Sequence, residues 1–102
     1  MSYKESKQNL TNVINYINNN KIKLNIDCQT NLKLLIKVWR YKNLSLDHLT
    51  IAKDYLHPYI SGFINNIENE SELKTLWNEY LSNVMEYRIN LNMDIVKKFK
   101  VK

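Results

Sequence analysis

Apolar positions along the chain recur mostly at helical spacing. In Thr30 to Tyr41, residues Leu32, Leu34, Leu35, Ile36, Val38, Trp39 and Tyr41 sweep an arc of roughly 220° at about 100° per residue. A surface helix buries only about half of such an arc, so the pattern predicts a central helix over 30–42 contacted on several sides. Upstream, Leu10, Val13, Ile14 and Ile17, with Tyr3 below them, form one stripe and predict a helix over 4–18, stopped by Asn18-Asn19-Asn20. Downstream, Leu46, Leu49, Ala52, Tyr55 and Leu56 predict a third helix capped by Ser45. Pro58 should end or kink it at His57, because a proline disfavours helical geometry in the residue before it. A short helix from Pro58 to Ile67 would then turn Tyr59, Ile60, Phe63, Ile64 and Ile67 inward, and 65–71 reads as an exposed turn.

The strongest amphipathic pattern lies in 72–88 behind Ser71. Leu73, Leu76, Trp77, Tyr80, Leu81, Val84, Met85 and Tyr87 fill half of its wheel, while Glu72, Glu79 and Glu86 run down the opposite side. Two short segments break the helical period. KIKLNID (21–27) and RINLNMDI (88–95) alternate apolar and polar residues, as a strand does. They are candidates for a minor two-stranded β element or for extended connectors, with a last helix capped by Asn92 or Asp94 as the alternative to the second. Asp27 or Thr30 would cap the central helix. The expected fold is all-α: a compact bundle of four to six short helices around helix 30–42, in one domain spanning 1–102 with a basic C-terminal tail, 97–102.

Length supports that reading. A chain of 102 residues buries about two-thirds of its unfolded surface around one core. Composition changes how the charge is read. Glycine, proline and alanine occur once each, while Asn, Ile, Lys, Leu and Tyr dominate, a bias expected of an AT-rich gene. The net charge of +5 is therefore partly a codon effect, and its distribution says more than its total. Residues 21–42 carry six cations against Asp27. Residues 43–94 carry three cations against eight acids, and 95–102 carry four lysines. The single cysteine, Cys28, excludes an internal disulfide and a multi-cysteine metal site. The polar first ten residues lack a signal peptide's apolar core, and no apolar run reaches the eighteen or so residues that cross a bilayer. A cytoplasmic, reducing location is expected, with no membrane contact.

Chemical motifs are sparse. Asp54 and Ser61 flank His57 at one-turn spacings, but across a Pro58 kink a nucleophilic relay would need fortuitous alignment. One glycine cannot build a phosphate loop, and no paired His/Glu metal motif occurs. No enzyme, cofactor or metal is expected. Helices at 45–56 and 59–68 invite comparison with a helix-turn-helix, yet no lysine or arginine stands between Asp54 and Leu73 to meet phosphate.

Two charged faces remain. Glu72, Glu79 and Glu86, extended by Glu68 and Glu70, form a single-signed line suited to a basic partner protein. Lys33, Lys37 and Arg40, one stripe of the central helix, with Lys97 and Lys98 of the tail, form the alternative, a nucleic-acid-binding face. The first expectation is a small non-catalytic inhibitor acting stoichiometrically, of the kind represented by immunity proteins or phage and viral antagonists. It would occlude the basic surface of a toxin or nuclease, as a monomer or weak homodimer. The second is a small nucleic-acid-binding protein.

Overall fold

The computed structural model describes residues 2–40 and 46–100, and the side chains of 3–40, 46–91 and 93 among them. The chain is all-α. Its elements are α1 (Ser2–Asn19), α2 (Ile26–Val38), α3 (Leu46–Ile51), a π-helical turn (Ala52–Leu56), α4 (His57–Asn65) and α5 (Ser71–Lys100). Because α3, the π turn and α4 are continuous, four rods result.

These rods alternate in direction. The Tyr16 hydroxyl donates to Glu70 Oε2 at 3.1 Å at one end of α1, and Tyr3 meets Tyr87 with ring centroids 5.7 Å apart at the other. Helix α1 therefore runs antiparallel to the first half of α5. Cys28 lies beside Gly62 and Asn66, while Trp39 at the far end reaches the Tyr80–His57 pair, so α2 runs antiparallel to α4.

The core is one cluster. Leu10, Val13 and Ile17 enter from α1; Cys28, Leu32, Leu35 and Trp39 from α2 and its cap; Leu49, Ala52, Leu56, Ile60 and Ile64 from the third rod; Leu73, Trp77, Tyr80 and Val84 from α5. Ser6 of α1 is fully buried, and its hydroxyl has no hydrogen-bond partner among the described residues.

Several expectations are corrected. The organising rod is α5, which packs on α1, α3 and α4. Among the described residues helix α2 buries one stripe, Cys28, Leu32, Leu35 and Val38, instead of a wide arc, and Leu34 stays 44% exposed. It also starts before residue 30. Asn25, not Asp27 or Thr30, is the N-cap, its Oδ1 accepting the Cys28 N–H at 2.7 Å. The helix also ends earlier than the expected 42–43: Val38 is its last residue and Trp39 its C-cap, with the Trp39 N–H donating to the Leu35 carbonyl at 3.2 Å, while the Ser45 cap lies outside the described residues.

Among the described residues there is no strand. In 21–27 the alternation serves a connector: Ile22 and Leu24 touch the core, but Ile26 opens α2 and is 79% exposed. Segment 88–95 continues α5, which contains no glycine or proline to stop it, and each added residue gains a backbone hydrogen bond. The chain leaves α1 through Lys21, not an asparagine, in the left-handed conformation at φ 51°. Lys21 N–H donates to the Asn18 carbonyl and Ile22 N–H to the Ile17 carbonyl, the paired bonds of a Schellman end. Asn69, at φ 64°, performs the reversal between α4 and α5 within the expected turn.

Pro58 neither ends nor breaks its helix. His57 N–H donates to the Ala52 carbonyl, five residues back, and this widened turn shifts the carbonyl that a proline ring would strike. The widening also changes which residues face inward. Tyr55 and Tyr59, expected inside, are 66% and 64% exposed.

Candidate functional site

The acidic line is real as a surface feature. Serine at the start of α5 and a helix uninterrupted from residue 71 place Glu72, Glu79 and Glu86 on one side at seven-residue intervals, each step drifting only about 20° around the axis. All three are exposed and, among the described residues, form no hydrogen bond or ion pair. Glu68 is exposed on the turn before α5. Glu70 differs: it is half-buried and accepts the Tyr16 hydroxyl, whose own ionisation is pushed up first by burial and then by that carboxylate.

The basic stripe also exists. Lys33, Lys37 and Arg40 are exposed along α2 and its C-terminal turn. Lys97 and Lys98 fall in the last turns of α5, and their side chains lie outside the described residues. The basic and acidic sets thus stand on different rods.

The histidine grouping does not assemble. His57 Nε2 lies 2.8 Å from Tyr80 Oη, Ser61 Oγ accepts the Trp77 Nε1–H at 2.8 Å, and Asp54 is exposed. What forms instead is a buried polar chain. Trp39 Nε1–H donates to Tyr80 Oη at 2.9 Å, and the same hydroxyl shares a second hydrogen bond with His57 Nε2, whose direction is set by the imidazole tautomer. Rings close around it: Trp77 lies 5.0 Å from Tyr80 and 5.8 Å from His57 between centroids. Burial pushes the His57 pKa down to about 4, so the imidazole is neutral at pH 7, and burial raises that of the Tyr80 phenol. The chain is sealed from solvent and acts as a structural clamp between α2, α4 and α5. No helix-turn-helix forms either, since 46–65 has no turn between its rods.

One feature escaped the sequence reading. Between the N-terminus of α2 and α4 lies a cleft of about 420 Å³ lined by Asn25, Asp27, Cys28, Pro58, Tyr59, Gly62, Phe63, Asn66 and Ile67. Its one signal in the sequence was the lone glycine inside an otherwise apolar helix. Burial pushes the Cys28 thiol up, which leaves it protonated and a poor nucleophile. Among the described residues, no group of three or more His, Cys, Asp or Glu is placed to hold a metal ion, and no helix is long and apolar enough to cross a membrane. Compared with protein-family models, curated proteins and solved structures, the chain matches none.

Proposed function

We propose that the protein is a non-catalytic protein-binding module that engages a basic surface of a cognate protein through the acidic side of α5. One observation carries this reading: Glu72, Glu79 and Glu86 are exposed, without an ion-pair partner among the described residues, and aligned on one rod. Unneutralised carboxylates in register steer a cationic partner into place and select against anionic ones. Glu68 at the head of the same rod extends the surface, whereas Glu70 is engaged by Tyr16 and contributes through its remaining oxygen. Within this class the reading is a stoichiometric inhibitor in the cytoplasm. It would cover the substrate-binding surface of a basic toxin or nuclease, as a toxin-neutralising immunity protein or phage antagonist does.

A second reading is favoured by the exposure of Lys33, Lys37 and Arg40, which suits phosphate contacts in a small nucleic-acid-binding protein. One experiment separates them. Tagged wild type and a Glu72→Lys/Glu79→Lys/Glu86→Lys variant are used to capture partners from nuclease-treated lysate of the source cell. The first reading expects one stoichiometric protein on the wild type and none on the variant. Retention of the same protein by both sinks it. Nucleic acid captured without nuclease, and lost in Lys33→Ala/Lys37→Ala/Arg40→Ala, promotes the second.

A further inference from the structure

We propose that the cleft between α2 and α4 is a socket for an arginine side chain of a protein partner, a contact site on different rods from the acidic line, which borders the α1–α5 groove; this rests on the protein-binding reading above. The cleft's lining contains one carboxylate, Asp27, and no cation. Its walls suit a planar cation on an apolar stem. Tyr59, 64% exposed, offers an aromatic surface for a guanidinium to stack on, and Pro58 and Phe63 offer apolar contact for the methylenes. Asn66 Nδ2–H donates to the Gly62 carbonyl at 2.8 Å, which leaves its Oδ1 as an acceptor. Arginine, with five N–H donors in a fixed fork, can meet Asp27 and that amide together, whereas lysine offers a point charge without a stacking face.

Gly62 keeps the socket open. A Cβ built there meets no heavy atom within 4 Å, and its backbone is ordinary helix without a positive φ. Any side chain at 62 would therefore project into the cleft, not into the core. The volume of about 420 Å³ falls in the range of small-ligand clefts.

The test is an NMR titration of the ¹⁵N-labelled protein with N-acetyl-arginine amide, using the citrulline and lysine analogues as controls. Saturable shifts confined to the amides of Asn25, Cys28, Gly62 and Asn66 are expected with arginine. Binding should weaken about tenfold in Asp27→Asn, the loss of one charge-assisted contact. It should disappear in Gly62→Leu, whose other amide positions stay unchanged and show that the fold is intact. Shifts that never saturate, equal shifts with citrulline or lysine, or undiminished binding in Gly62→Leu would overturn the proposal. The Glu72→Lys/Glu79→Lys/Glu86→Lys variant must retain arginine binding in the cleft even where partner capture is lost, so failure of the acidic line and failure of the socket read out separately.

Discussion

Leu73, Trp77, Tyr80 and Val84 of α5 are almost sealed from solvent, whereas Met85, Ile89 and Met93 on the same helix are 64%, 52% and 53% exposed. Both sets are apolar and recur at helical spacing, and the second begins one residue after the first ends. The difference lies in what stands opposite. The first set faces α1 and the third rod. Beyond Tyr87, which meets Tyr3 near the start of α1, α5 runs on for roughly 20 Å with no further turn of α1 beside it. The molecule is correspondingly long, 53 Å against 22 Å in each other direction. Hydrophobicity proposes a face, and a neighbouring element has to be present for the face to be buried.

The sharpest way to break this contrast is at Trp77. Trp77→Ala removes a fully buried ring and leaves Ser61 without its donor, and should cost about 3–5 kcal/mol in a urea melt, enough to unfold much of a small domain. Tyr80→Phe keeps the ring but strands Trp39 Nε1–H and His57 Nε2 together. A loss of about 2–4 kcal/mol is expected, and a loss below 1 kcal/mol would show that the polar chain contributes little.

A third test uses pH. His57 has a folded pKa near 4 against 6.5 unfolded, so the unfolded chain binds the proton more readily. Its contribution to stability is complete above about pH 6.5 and is lost as pH falls towards 4, by up to about 3 kcal/mol, since each pKa unit is worth about 1.4 kcal/mol. The melting temperature should drop across that window, and the drop should be much smaller in His57→Asn. The smallest effect belongs to the outer stripe. Met85→Gln, Ile89→Gln and Met93→Gln should each shift stability by less than about 0.5 kcal/mol at any protein concentration. A larger loss that grows with concentration would mean that a second copy covers this stripe, and the contrast between the two sets would vanish on assembly.

The charged surfaces were more legible in the sequence than the cleft. A seven-residue spacing of glutamates on a helix fixes their common face whatever the helix packs against, so Glu72, Glu79 and Glu86 could be aligned from periodicity alone. Asn25, Asp27, Tyr59 and Gly62 come from two rods far apart in the chain, and only the antiparallel packing of α2 on α4 sets them around one space. The Tyr80–His57 contact is hidden for the same reason, being a pairing across twenty-three positions.

By itself the sequence determined the helical class, the single core, the turn within 65–71, and the burial of Trp39 and Trp77. Those follow from local propensity and from an apolar period that no other structure satisfies. Tertiary structure decided the rest. Alternation in 21–27 and 88–95 came to nothing because no sheet edge was there to pair with, and helix propagation already had its hydrogen bonds. A π turn ahead of Pro58 left Tyr55 and Tyr59 outside, and α5 took the central position expected of 30–42. Burial is a property of pairs of surfaces, and a sequence states only one member of each pair.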